Sequence, residues 1–387
     1  MLATGIDIAL PAFDAIEEDL GSTANTSLII TLYLVGMAFG QLVYGPIADR
    51  YGRRPAILSG LALYAVGAVA SALAPSFGIL LLARLVWGLG AAAPAGLRSA
   101  ITRDLYSGDA MARITTIMMA VFLLGPVFMP LLGEMIVRVA PWPIVFWFSA
   151  SLAVIGAFWC VRFGETLADE NRRPLQLSQL RVAVVTVVTT RVTAGHMAAN
   201  VFLSGAFFIF LGSAQPVFDQ VYGRSSQFAV GFAVVGVLTI PPLLINNRLI
   251  GRYGSRRMSM LACSGSALLA LLAIVPTLLA DGRPSFWLWF GWLVLVSGLL
   301  TVASPAVTAL ALEPMGELAG TASSILYFSG FAFGAGLAAI FDAMVETTVT
   351  PFVVGFAVYT GVGLILLWWA GSGSTMASDL GGPDRVS

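Results

Sequence analysis

The sequence predicts an all-α, polytopic membrane protein, with twelve transmembrane helices in two six-helix halves. Three observations lead there. Of 387 residues, 58% are hydrophobic and only 10% are charged, against about 25% charged in a typical soluble domain, and the mean hydropathy is +0.90. So few charges could not cover a water-facing surface. Apolar stretches recur from end to end, several exceeding the roughly 20 residues that a helix needs to cross a bilayer core. Finally, Arg50-Tyr51-Gly52 with Arg53 and Arg54 recurs as Arg252-Tyr253-Gly254 with Arg256 and Arg257, the mark of a parallel repeat.

Taken in order, the apolar stretches place spans at 1–18, 26–47, 55–74, 77–101, 112–138, 142–162, 189–214, 226–247, 257–279, 285–310, 318–341 and 350–370. The first is short. Only Met1 to Ala12 is clearly apolar before Asp14, Glu17, Glu18 and Asp19, so this helix reads as truncated at its N-terminus. The halves then cover 1–163 and 189–370, joined by a hydrophilic central loop, 164–188. The Gly/Ser-rich segment 371–387 is too polar to pack and is expected to be disordered.

Arginine placement sets the expected orientation. All basic residues are arginine. Arg50, Arg53 and Arg54, Arg103 and Arg113, Arg162, Arg172, Arg173 and Arg181, and Arg248, Arg252, Arg256 and Arg257 fall on connections that share one side. The other side carries Arg138, Arg224, Arg283 and the acidic run. By the positive-inside rule the arginine-rich side and both termini are cytoplasmic, in a bacterial inner membrane.

Twenty basic residues balance twenty acidic ones, which argues against nucleic acid as a partner. Cys160 and Cys263 stand alone inside apolar stretches, with neither metal-ligand nor disulfide spacing. The chain has no P-loop, HExxH or GxSxG motif, so neither enzyme chemistry, a cofactor, a metal nor ATP as energy source is expected. Met1 to Leu10 lacks the basic start and cleavage site of a secretory signal.

Several motifs carry a resemblance. Gly45, Asp49, Arg50, Gly52, Arg53 and Arg54 resemble the signature between helices 2 and 3 of major facilitator transporters. Ile6-Asp7-Ile8-Ala9-Leu10-Pro11-Ala12 resembles the helix 1 signature of the bicyclomycin-resistance (Bcr/CflA) branch of drug:proton antiporters. The run from Ala83 through Arg84 to Ala92, and Ala100 to Leu105, are similar to that branch's helix 4. Gly125-Pro126 with Pro130 and Gly133 resembles the helix 5 antiporter motif, with Glu134 where the family has a second glycine. The resemblance implies proton-coupled efflux of small lipophilic or drug-like molecules by a likeness to alternating-access transporters. It also implies an interdomain latch at Gly45, Asp49, Arg50, Gly52, Arg53 and Arg54, and gating by helix 5.

Asp7 lies roughly 10–15 Å inside the outer end of span 1 at 1.5 Å per residue, where an ionisable group is costly and by default functional. Arg84 lies at a similar depth in span 4, and the two could share an ion pair that protonation of Asp7 would break. The resemblance implies proton coupling at both. The competing readings are a frayed helix end for Asp7 and neutralisation by backbone carbonyls for Arg84. The arginines near Asp49 have a topology signal as their competing reading, which leaves Asp49 unexplained. Glu134 reads as an interfacial, solvated carboxylate. Arg98 could snorkel to the headgroups, and His196 reads as a satisfied polar group near an interface. Gly36 with Gly40 and Gly330 with Gly334 show small-xxx-small spacing for close helix approach, and Pro126 and Pro130 should bend span 5.

Alternatives remain: an uncoupled facilitator, a proton-linked transporter of an amino acid or sugar, or a membrane sensor without transport. The expected partners are a small-molecule substrate, protons and the lipid bilayer, with the chain a monomer.

Overall fold

The computed structural model describes residues 2–21, 26–106, 108–168, 170, 172 and 177–380, and for most of them the side chains. Helix 1 is broken into Leu2–Ile6, a 3-10 segment Asp7–Ala12 and Phe13–Leu20. Helices 2 to 6 are Leu28–Tyr51, Arg53–Ala72, Phe77–Leu105, Gly108–Val139 and Pro143–Phe163. Helix 7 is Arg191–Pro216, continued by a π turn at Val217–Val221, and helix 8 is Phe228–Leu238 followed by Ile240–Tyr253. Helices 9 to 12 are Ser255–Leu279, Phe286–Leu312, Ala319–Asp342 and Thr350–Leu380. Ten helices among the described residues are long and apolar enough to cross a membrane; helix 1 and helix 5 complete the expected twelve.

Two expectations shift. The central loop, expected over 164–188, carries a helix of its own at Leu177–Thr189. Helix 12 runs to Leu380, into the segment expected to be disordered from Gly371. Once a helix is nucleated, each further residue adds a hydrogen bond for little extra cost, so helices here outrun their apolar stretches. Residues 381–387 of the expected tail lie outside the described residues.

Lipid is as apolar as a leucine side chain, so helices in a bilayer associate by close packing rather than by hiding apolar surface. Accordingly Leu279 is 83% exposed and Trp368 68%, while the contacts between helices fall on small residues. A Cβ at Gly36 would run into the Leu85 carbonyl, and one at Gly88 into the Tyr33 carbonyl; helices 2 and 4 touch backbone to backbone there. Gly334 plays the same part between helices 11 and 7, against Ser204 and Gly205. Aromatic clusters fill each half. Trp87 takes Tyr33, Tyr64 and Phe146 edge-on at ring separations of 6.0, 5.3 and 5.4 Å. In the second half Phe218 takes Phe228, Phe286 and Trp289 at 5.7, 5.3 and 5.7 Å.

The halves meet along helices 2 and 11, where Phe39 and Phe328 lie 5.4 Å apart, and along helices 5 and 8, where Val127 faces Gly236. At the end away from the arginine-rich turns, Gln215 Nε2 of helix 7 donates to Asp14 Oδ1 of helix 1 at 2.7 Å.

Candidate functional site

Pro11 has no N–H, so the Asp7 carbonyl cannot receive the bond that an α-helix would give it. The backbone tightens into a 3-10 segment that begins at Asp7. Asp7 itself is buried, 5% exposed. Helix 5 presses on this segment through Gly133, whose missing side chain leaves room for the Ile8 carbonyl. The helix 5 motif thus touches, through backbone, the residue that follows Asp7. Pro130 is buried and Gly125 half-buried, and the side chain of Pro126 lies outside the described residues.

Arg84 is fully buried. Its Nη2 donates to the Gly5 carbonyl at 2.6 Å, and its Nε to the Ile29 carbonyl at 3.0 Å. The guanidinium sits over Trp87 and Tyr33, at 4.7 and 4.8 Å from the ring centres, with Phe146 at 5.7 Å. Cation–π attraction in a dry site supplies part of what lost hydration removes. Among the described residues no ion pair joins Asp7 to Arg84. The pair expected from matching depth is therefore not formed in this state, because the arginine is turned onto carbonyls of helices 1 and 2 instead. Among the described residues its Nη1 has no hydrogen-bond partner. Around it, the Thr4 and Tyr64 hydroxyls are hydrogen-bonded at 2.9 Å and Ser149 Oγ donates to the Thr4 carbonyl at 3.1 Å. Helix 1 is therefore gripped at residues 4 and 5, one turn before Asp7.

The turn between helices 2 and 3 is a second knot. Gly52 adopts φ 106°, ψ 158°, a region open in practice to glycine alone. Arg53 is buried and joins Asp49 Oδ1 at 2.5 Å and Asp104 Oδ2 of helix 4 at 3.0 Å. Glu165, just past helix 6, accepts from the backbone N–H of Arg53 at 2.8 Å and of Arg54 at 3.1 Å. These are unpaired donors at the positive end of helix 3, which a carboxylate suits. Partial burial pulls the Glu165 pKa up, but the amides of Leu167, Arg53, Arg54 and Thr166 together outweigh it and hold it below the usual carboxylate value. Every one of these bonds lies within the first half. Across the halves, Gly45 faces Ser324 of helix 11. Arg50 lies over the Tyr51 ring at 5.1 Å.

The Major Facilitator Superfamily profile matches residues 1–339. The chain belongs to the major facilitator superfamily. It is similar to a bicyclomycin resistance protein homolog of Haemophilus influenzae, 31% identical over 92% of this chain and 90% of that one. It is also similar to a chloramphenicol resistance protein of Pseudomonas aeruginosa, 30% identical over 92% and 84%. Among solved structures, a D-xylose-proton symporter superposes with a TM-score of 0.72 at 14% identity, over 95% of this chain and 94% of that one. This facilitator is a multi-pass membrane transporter of the Bcr/CflA-like kind rather than an enzyme.

In this facilitator the remaining candidates fall as follows. Glu134 pairs with Arg138 one turn on, an arrangement open to solvent on the arginine side. His196 is buried and its Nδ1 lies 2.7 Å from the Val192 carbonyl. Arg98 is exposed. Sequence reasoning missed Glu165 and Asp104 as partners of the turn, Gln215 as partner of Asp14, and Asp342. Asp342 closes helix 11 while buried, and accepts from Ser213 Oγ of helix 7. Its signal was available: it is an acid ending an otherwise apolar stretch.

Proposed function

We propose that this facilitator exports small lipophilic or drug-like molecules in exchange for protons, with Asp7 as the coupling carboxylate. The observation that carries the reading is the burial of Asp7 at a 3-10 break of a membrane helix, with no arginine paired to it among the described residues. An ionised carboxylate in that position is costly. Proton binding removes the cost, and an arriving substrate that displaces helix 1 brings it back. Arg84 acts as the arm that holds helix 1, through the Gly5 carbonyl two residues before Asp7. The names of the relatives, which concern bicyclomycin and chloramphenicol resistance, support drug-like substrates.

The chain works as a monomer in the bacterial inner membrane, with the arginine-rich turns and both termini cytoplasmic. Its halves rock about the helix 2–11 and helix 5–8 contacts, and Pro126, Pro130 and Gly125 of helix 5 bend as they do so. The turn of Gly45, Asp49, Arg50, Gly52, Arg53 and Arg54 steadies the state open to the outside. It does so by making helices 2, 3, 4 and 6 one rigid block whose edge at Gly45 meets helix 11.

The test is proton release in everted vesicles carrying the protein, with internal pH followed while antibiotics and lipophilic cations are added. Substrate should trigger proton release with the wild type, and Asp7→Asn should show none while still inserting and folding. Release that persists in Asp7→Asn moves the coupling site elsewhere. Substrate movement with no proton release in the wild type would leave a facilitator without coupling.

A further inference from the structure

We propose that Asp342 is a second proton-binding site, filled from the outer side, whose protonation accompanies closure of the two halves at Asp14 and Gln215. The inference rests on the orientation and the proton-linked transport proposed above. Asp342 is 4% exposed, at the last turn of helix 11. Among the described residues its carboxyl has one side-chain donor, Ser213 Oγ of helix 7, and it faces Gly212, where any Cβ would overlap it. On helix 12 the titratable group nearby is Tyr359, whose hydroxyl is committed to the Leu337 carbonyl at 2.7 Å. Among the described residues no arginine forms an ion pair with Asp342. A carboxylate satisfied by a single hydroxyl and shut away from water bears an uncompensated charge; a proton removes it and turns the group into an ordinary hydrogen-bonding acid.

The link to closure is positional. Ser213 stands two residues before Gln215 on helix 7, and Gln215 makes the 2.7 Å bond to Asp14 that joins the halves at this end. Helices 7 and 11 approach closely through Gly205, Gly334 and Gly212. Separating Asp14 from Gln215 therefore strains the same stretch of helix 7 that covers Asp342. Water reaching the carboxyl from outside then takes its proton, and reclosure requires that proton back.

The experiment uses the full chain in lipid nanodiscs without substrate or gradient. Infrared difference spectra over pH report protonated carboxyls, and labels at Glu18 and Gln220, with Cys160 and Cys263 replaced, report the gap between the halves. The wild type should show a buried carboxyl band that is lost in Asp342→Asn and shifted in Ser213→Ala, which keeps the acid and removes its donor. The gap should open as pH rises in the wild type and stay closed in Asp342→Asn. A carboxyl band unchanged in both variants overturns the site, and a gap in Asp342→Asn that opens with the wild-type pH profile overturns the link to closure. Failure of the export reading would leave both readouts untouched.

Discussion

Gly52 and Gly254 occupy equivalent turns of the two halves, and the structure distinguishes them. Both have backbone angles reserved for glycine, φ 106° and 80°, so alanine at either is strained by about 1–3 kcal/mol. At Gly52 a Cβ also meets the Glu165 carboxylate, while at Gly254 nothing among the described residues lies within 4 Å. Gly52→Ala should therefore lower thermal stability in detergent clearly more than Gly254→Ala; equal losses would show that the Glu165 cap adds nothing. The cap has its own pH signature. Because the folded state holds the Glu165 pKa below its ordinary value, its contribution is fully present above the unfolded pKa and disappears as pH falls through the folded one. The stability difference between wild type and Glu165→Gln should thus be visible at neutral pH and vanish in acid. A difference that persists in acid means the contact does not depend on charge. The burial of Asp7 in helix 1 was legible from the sequence, since an acid inside an apolar stretch is costly whatever surrounds it. Its relation to Arg84 was not: depth follows from counting residues along a helix, but which carbonyls and rings a guanidinium faces depends on how helices are rotated against one another.

Helix 5 carries the residue whose contact matters most at the scale of an element. Gly133 lets it lie against the Ile8 carbonyl, next to Asp7. Alanine there must push backbone aside rather than a flexible side chain, at about 1–3 kcal/mol for an overpacked site. The displaced partner is the segment that bears Asp7. Gly133→Ala should consequently depress transport more than it depresses folding, as the ratio of vesicle transport rate to inserted protein would show; an unchanged ratio would separate helix 5 from coupling. The elements themselves were largely readable, because hydropathy reports where the bilayer lies. It does not report where hydrogen bonding stops, which is why helix 2 reaches Tyr51, helix 8 reaches Tyr253 and helix 12 passes Gly371. The break at Asp7 had a local cause in Pro11, visible in the sequence but masked by the apolar pattern on either side.

At the scale of the whole molecule, the repeated turn announced two halves, and the turn of each half bonds to the last helix of that half or to the residues just past it. Glu165 caps helix 3 in the first, and Arg256 donates to the Gly371 carbonyl in the second. The contacts between halves were not readable, since Asp14 and Gln215 come from distant helices and each is an ordinary polar residue near a membrane surface. That contact decides whether the halves must part. If substrate leaves through a gap between helices 1 and 7, bridging the two ends should stop transport. With Cys160 and Cys263 replaced, cysteines at Asp14 and Gln215 can be joined by a short bifunctional thiol reagent. The bridged protein should transport nothing, a reductant that cleaves the bridge should restore the rate, and each single cysteine should remain active under the same reagent. Transport at the unbridged rate would mean that this end stays closed throughout the cycle, and the exit would then have to lie elsewhere between the halves.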